Sequence, residues 1–260
     1  MFKQNGENLS PPSVQKEYED PWNKLIIDLG AFKSNYNYLR SRLPKDTLFY
    51  AVLKSDAYGH DLVESAKVLA DAGCRHYAVD TPQEGIRLRN EGVQGEILLM
   101  NPIPIWMAEL SVRHDLSVSV IHESILAPLE GAARAMGKTC RIHLNANVGL
   151  NRMGIAPSKV AQIARKADTF PHIQLEGLFG QPCDPESAIN SFSKLKDIYQ
   201  DIKSKDLAPG ILHFANSTTF LTHPDTIANG VRIGILIYGV LPPEQFSSGE
   251  IDKQLKPVMS

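Results

Sequence analysis

The stretch TLFYAVLKSDAYGHD (residues 47–61) places an apolar strand directly before a lysine. Polar and glycine-containing residues follow Lys54, as is typical of a loop between a strand and a helix. A lysine at the end of a buried strand is uncommon, because its ammonium group must be paired or lose its proton. Lys54 is therefore either a side chain that extends past the edge of a sheet or an amine that is used chemically.

Seven further apolar runs follow at intervals along the chain. Helix signals lie between most of them, such as Thr81-Pro82-Gln83-Glu84, which predicts a capped helix start with proline in the first turn. Eight strands that alternate with helices predict an α/β fold, a (β/α)8 TIM-type barrel, although an open doubly wound sheet has the same alternation. The runs are HYAV (76–79), EILLM (96–100), LSVSV (116–120), RIHLN (141–145), IQLEGLF (173–179), ILHFA (211–215) and GVRIG (230–234).

The chain divides into four regions. Residues 1–21 are polar and predict a mobile tail, whereas residues 22–45 contain a strand, KLIIDL (24–29), and a helix that lead into the barrel. Residues 46–245 form the predicted barrel, and residues 246–260 begin a linker. Because KLIIDL is a ninth strand, we expect it to pair outside the barrel.

Composition excludes several classes of protein. The 27 basic and 29 acidic residues form no Lys/Arg-rich run, so nucleic acid is not an expected partner. No secretory signal and no apolar run of about 18 residues is present, so we expect no membrane contact. Cys74, Cys140 and Cys183 are too scattered for a disulfide framework, which favours a cytoplasmic location. No His/Cys/Asp cluster has metal-ligand spacing, so no metal site is expected.

Five motifs resemble those of the alanine racemase family, in the same order, across roughly residues 22–260. AVLKSDAYGHD (51–61) is similar to the family's AVVKANAYGHG, and HLNANVGLNRMGI (143–155) is similar to HLKxDTGMxRLGF. LEGLF (175–179) resembles LEGLYTH, LHFANSTTF (212–220) resembles xHxANSAA, and VRIGILIYGV (231–240) resembles VRxGIxLYG. The resemblance implies a barrel that binds pyridoxal 5'-phosphate.

The resemblance to the alanine racemase family also implies roles for individual residues. Lys54 would form an aldimine with the cofactor and act as one acid/base group at the α-carbon of the substrate, Tyr58 would lie near the phosphate, and Arg152 would reach the phenolic oxygen. Lys54 and Arg152 are thus the implied catalytic residues. The cofactor would further be bound by Asn216, Ser217, Gly234 and Ile235 at the phosphate and by Arg232 at the pyridine nitrogen.

The phosphate assignment has support that is independent of the family. Loops after strands seven and eight are the usual phosphate site of this barrel. Structural alternatives remain open: Asn216 and Ser217 could cap the helix STTFLT, Gly234 could be a close-packing glycine, and Arg232 could belong to a buried salt bridge.

The sequence departs from the family at positions that would support these cofactor-binding residues. His213 is expected to support Arg232, while Gln181 stands where the family motif has a histidine. Asn145 replaces a lysine that is often carbamylated, so Arg152 would be oriented by a neutral amide or a bound anion.

In the family the barrel is followed by a β-domain whose tyrosine supplies the second catalytic base across a dimer interface, and KLIIDL belongs to that domain. This chain ends at LKPVMS (255–260), about where the β-domain would begin. We therefore expect a partial chain of an enzyme that interconverts L- and D-alanine through an α-carbanion, weakly active or inactive by itself and a homodimer when complete. The alternatives are a single-barrel cofactor carrier and a related amino-acid racemase or lyase with a different substrate.

Overall fold

The computed structural model describes residues 24–207, 209–243, 251 and 253–260. The predicted tail, residues 1–21, lies outside the described residues, as does most of the segment 246–252 that opens the predicted linker.

Eight parallel strands close into one barrel in the order in which they occur along the chain. Pairing of β1 with β8, through Leu48 opposite Gly230, completes the ring. This closure confirms the barrel and excludes the open-sheet alternative. The strands are β1 (Leu48–Val52), β2 (His76–Val79), β3 (Glu96–Leu99), β4 (Ser117–Val120), β5 (Cys140–Asn145), β6 (Ile173–Phe179), β7 (Ile211–His213) and β8 (Gly230–Ile233).

Helices connect the strands and cover the outside of the barrel. They are α1 (Leu29–Ser41), α2 (Lys54–Gly59), α3 (Leu62–Asp71), α4 (Pro82–Asn90), α5 (Ala108–Arg113), α6 (Leu126–Met136), α7 (Val160–Asp168), α8 (Pro185–Lys203) and α9 (Ser217–Thr222). Short 3-10 turns lie at Ile105–Met107, Glu123–Ile125, Pro157–Lys159 and Pro224–Thr226. The predicted capping box at the start of α4 is confirmed, since Thr81 and Glu84 each bond the other's backbone amide.

The barrel interior is unusually polar. A small apolar cluster, consisting of Tyr50, Val52, Ala78, Leu98 and Ile211, occupies part of it. The phenol of Tyr50 donates to the buried carboxylate of Glu96 at 2.8 Å. Interiors of this fold are usually filled by branched apolar side chains, so polar groups here indicate a role beyond packing.

The segment after β1 is strained. Ser55, Asp56, Ala57 and Tyr58 have φ angles of 54°, 53°, 55° and 54°, so α2 is a left-handed turn. Each such residue costs roughly 1–2 kcal/mol, because Cβ approaches the following carbonyl oxygen. His60 stabilises the turn through Nδ1, which lies 3.0 Å from the carbonyl oxygen of Ala57. The turn places Lys54 and Tyr58 at the carboxyl end of the barrel strands.

The expected ninth strand is shorter than KLIIDL. Ile27 forms an isolated antiparallel bridge with Met259, and the amide of Ile26 donates to Ser260 at 2.9 Å. Asp28 then caps α1 by accepting from the amide of Ala31, so Leu29 is helical. The segment pairs outside the barrel, as predicted, with the other end of the described chain.

Candidate active site

A cavity of about 260 Å³ opens at the carboxyl ends of the strands. Its wall includes all the predicted site residues except His213, which lies behind it. Residues far apart in sequence therefore meet in one place, as the barrel rule requires. The predicted residues that line the cavity are Lys54, Tyr58, Asn145, Arg152, Gln181, Asn216, Ser217, Arg232, Gly234 and Ile235.

Lys54 faces a carboxylate across the cavity mouth. Its Nζ lies 3.4 Å from Oδ2 of Asp80, and the two side chains are 31% and 22% exposed. The lysine is thus paired within the site, and it does not simply extend into solvent past the barrel rim.

Tyr58, Ser217 and Gly234 form a narrow cradle. The amide of Gly234 donates to Oγ of Ser217 at 3.0 Å. A Cβ atom at position 234 would lie 2.8 Å from the phenol oxygen of Tyr58, so only glycine leaves room for this approach. Burial, with a smaller effect of the Asp80 charge, raises the pKa of Tyr58 to about 12 and keeps it protonated as a donor.

Asn216 caps a helix, which was one of the two open alternatives. Its side chain accepts from the amide of Thr219 at 3.0 Å, while the Thr219 hydroxyl accepts from the amide of Asn216 at 3.1 Å. The cap fixes the first turn of α9 and thereby the direction of Ser217. Asn216 also lines the cavity, so capping and ligand contact are compatible.

Arg232 is 3% exposed and is held almost entirely by neutral acceptors. Its guanidinium donates to Nδ1 of His213 at 2.8 Å, to the carbonyl of Gly180 at 2.7 Å and to Oε1 of Gln181 at 3.0 Å. It also lies 4.9 Å from the centre of the Phe179 ring. Burial without a carboxylate partner lowers the pKa of Arg232 to about 10. The salt-bridge alternative is wrong for the described residues.

A chain of two histidines continues from Arg232 into the barrel. Nε2 of His213 lies 3.0 Å from Nδ1 of His143, and both rings are fully buried. Arginine can only donate, so Nδ1 of His213 accepts and Nε2 carries the proton of the neutral ring. That proton faces Nδ1 of His143, which leaves Nε2 of His143 as a protonated nitrogen. Burial also lowers the pKa of His213 well below its usual value.

The hydrogen-bonded series of His213 and His143 ends at two carboxylates. Nε2 of His143 lies 3.0 Å from Glu96 and 3.4 Å from Glu176. A shift in register beside His143 allows Glu176 to turn inward, and a Cβ on Gly177 would collide with the imidazole at 2.0 Å. These three residues are close enough to suggest metal ligands. However, a metal on Nε2 would have to displace the proton that Arg232 and His213 fix there.

Arg152 and Asn145 both reach the cavity but differ in burial. Asn145 is buried at the end of β5, whereas Arg152 is exposed on the following loop. The loop is anchored by a hydrogen bond of 3.0 Å, which the backbone amide of Leu150 donates to the carbonyl oxygen of Gln181. How Arg152 is oriented toward a ligand stays a prediction.

The family model for the N-terminal domain of alanine racemase matches residues 27–242. The chain belongs to the alanine racemase family. An alanine racemase of Methanococcus maripaludis is 29% identical over 240 residues, which are 90% of this chain and 64% of the relative. One from Treponema denticola is 31% identical over 245 residues, which are 91% of this chain and 64% of that relative.

Solved structures of alanine racemases share the fold. The Clostridium difficile alanine racemase in complex with cycloserine superposes with a TM-score of 0.87 at 26% identity, over 90% of this chain and 66% of that one. The enzyme from Streptomyces lavendulae gives 0.79 at 32% identity, over 91% and 64%. The chain thus spans less than two thirds of the length of the curated relatives named above. Its described helices include none long and apolar enough to cross a bilayer.

Sequence reasoning missed some residues of the site. Asp80 follows β2 at the same end of the barrel as Lys54, and that position was the available signal. Glu96 and Glu176 stand inside the otherwise apolar runs EILLM and LEGLF, where a charged residue indicates a buried partner. Met100 and Asn101, after β3, also line the cavity.

Proposed function

We propose that the chain binds pyridoxal 5'-phosphate in this cavity and forms the cofactor domain of an amino-acid racemase. The observation that carries the proposal is the convergence of Lys54, Arg232 and the Ser217–Gly234 cradle on one cavity at the carboxyl ends of the strands. Membership of the alanine racemase family supports it.

The residues present fit the cofactor. Gly234 leaves open the volume that a Cβ would fill, next to a hydroxyl, a phenol and a backbone amide, all groups that donate to phosphate. Three cations, Lys54, Arg152 and Arg232, line the cavity with one carboxylate, Asp80. The excess of positive charge suits a phosphate together with the carboxylate of an amino acid.

Each residue has a distinct task in this proposal. The cofactor, when bound, supplies an electron-accepting ring that acidifies the α-proton of an amino acid. Lys54 would hold the cofactor by condensation of Nζ with the aldehyde and loss of water, and once displaced by an amino acid its free Nζ would hold or return a proton. Ser217 and the amide of Gly234 would anchor the phosphate, and Arg232 would donate to the ring nitrogen. Because arginine keeps its proton, that nitrogen would stay unprotonated and the ring would be a weak electron acceptor, which favours racemisation over transamination.

The activity of the whole enzyme needs more than this cavity. Racemisation requires an acid/base group on each face of a planar carbanion. Lys54 serves one face, and we propose that a second domain supplies the other in a homodimer. The proposed substrate is alanine, L and D, and the proposed location is the cytoplasm.

Cofactor titration tests the proposal through the cradle. The native chain is expected to develop a visible absorption band with pyridoxal 5'-phosphate. Gly234→Ala is expected to weaken that binding about tenfold or more, because overpacking costs roughly 1–3 kcal/mol. Gly131→Ala is the matched control, since a Cβ there contacts nothing within 4 Å. Equal affinity of both variants would count against a phosphate in the cradle.

A separate prediction concerns the contribution of Arg232 to the stability of the fold. Arg232→Met leaves buried acceptors on His213 and Gly180 and a half-buried acceptor on Gln181 without donors. Each unsatisfied buried group costs roughly 1–3 kcal/mol, so we expect the free energy of unfolding to fall by about 3 kcal/mol or more. Arg141→Met is the control: its side chain is 25% exposed and its ion pairs should contribute about 1 kcal/mol or less. Urea denaturation measures both. Similar losses in the two variants would contradict the described role of Arg232.

A further inference from the structure

Asp80 lies beside Lys54 because of the register between the first two strands. Val52 pairs with Ala78, and both belong to the apolar cluster inside the barrel. Lys54 and Asp80 each follow by two residues, and both line the cavity. The pairing thus follows from the fold and does not depend on a mobile surface side chain.

Glu84 holds the loop that follows β1 and the loop that follows β2 in place relative to each other. Its Oε2 accepts from the amide of Asp80 at 3.0 Å, and its Oε1 accepts from the amide of Asp56, in the Lys54 turn, at 3.3 Å. Glu84 also closes the capping box of α4. One carboxylate therefore holds Asp80 and the strained turn in place while the Asp80 side chain remains available to Lys54.

The charges around the pair leave Asp80 as the counter-ion of Lys54. Among the described residues that line the cavity, Asp80 is the sole carboxylate, and the other titratable or charged groups are Tyr58, Arg152 and Arg232. The carboxylate of Asp56 is bound to Arg87 at 2.8 Å, and Glu84 is occupied by backbone amides. Within the part of the chain that the structure describes, no other anion lines the cavity to balance the lysine.

We propose that Asp80 is a positioning residue: its carboxylate pairs with the ammonium group of Lys54 and holds Nζ at the cavity before a ligand binds. This inference rests on the proposed cofactor role of Lys54, and it explains how the free amine is oriented before the cofactor binds.

Chemical labelling without cofactor tests the pair directly. Acetic anhydride reacts with neutral amines, so at pH 8 we expect Asp80→Asn to raise the labelling rate of Lys54 about three- to tenfold. Asp80→Glu keeps the charge and should restore slow labelling. Lys67, which pairs with Glu64 and Glu91 on the surface, serves as an internal standard in the same digest.

The pH profile separates charge from exposure. As the pH rises past the ordinary lysine pKa of about 10.4, the neutral fraction of both amines approaches one, so the native and Asp80→Asn rates should converge. A difference that persists at high pH would show that the substitution merely uncovers Lys54, and an unchanged rate at pH 8 would likewise overturn the proposal.

A cofactor arm keeps the two proposals distinguishable. If labelling responds as expected but neither protein forms a visible band with pyridoxal 5'-phosphate, the Asp80 pair stands and the proposed function fails. If the band forms in both and labelling is unchanged, the proposed function stands and the role of Asp80 is overturned.

Discussion

Lys54→Ala is expected to abolish the visible band that the native chain forms with pyridoxal 5'-phosphate. No other lysine lines the cavity among the described residues, so no second amine can bond to the cofactor aldehyde there. The cradle at Ser217 and Gly234 is untouched by the substitution, so non-covalent binding through the phosphate should persist at reduced affinity. Absorbance titration measures the band, and quenching of protein fluorescence measures the residual binding.

Lys67→Ala is the matched control for this prediction. Lys67 lies on the surface of α3, where it pairs with Glu64 and Glu91. Its removal should leave both the band and the affinity unchanged. A band of native intensity in Lys54→Ala would mean that the cofactor bonds to a different lysine, and the site would then have to be assigned anew.

The loaded 260-residue chain is expected to exchange the α-proton of one alanine enantiomer with solvent far faster than it inverts the centre. Lys54 is the one acid/base group proposed here, and a single amine reaches only one face of a flat carbanion. Loss of a positioned acid/base group typically costs ~10²–10⁴ in rate, so inversion should be slower than exchange by about that factor.

Separate incubations of L- and D-alanine in deuterium oxide distinguish the outcomes. Proton NMR follows loss of the α-proton signal, and chiral chromatography follows inversion. We expect deuterium to enter one enantiomer with its configuration retained, while the other stays protonated. Rapid inversion of either enantiomer would require a second base on the opposite face within this chain, and the proposed need for another domain would be wrong.

The barrel could be predicted because its signals are local. Each strand is a short apolar run, and each loop carries its own turn and capping residues, so pattern alone locates β2 and β6 with the observed bounds. Closure could not be derived from the pattern, since an open sheet has the same alternation. It depends on the pairing of β1 with β8, which are about 180 residues apart in the chain.

The cavity residues were predicted through motifs, and their supporting contacts were not. Gln181 was marked as a departure from the family, but its bond to Arg232 depends on how β6 and β8 lie across the barrel. Asn216 shows why two alternatives can both hold, because a capping side chain also lines the cavity. The ninth strand was predicted to be longer than it is, because Asp28 in KLIIDL is a helix cap.

Asp80 and the interior carboxylates show what sequence periodicity cannot reveal. Glu176 faces inward only because the register shifts beside His143, and an irregularity of one residue leaves no trace in an apolar pattern. Asp80 has an ordinary local position, just before the cap of α4. Its importance comes from the neighbouring strand, which places Lys54 beside it.

Peptide mapping after reduction tests the central claim, that Lys54 holds the cofactor, most directly. The native chain is mixed with pyridoxal 5'-phosphate, reduced with borohydride and digested, and the modified lysine is located by mass spectrometry. We predict one phosphopyridoxyl group, on Lys54, at close to one per chain and absent from Lys54→Ala. Modification spread over surface lysines such as Lys67, with Lys54 unmodified, would contradict the account.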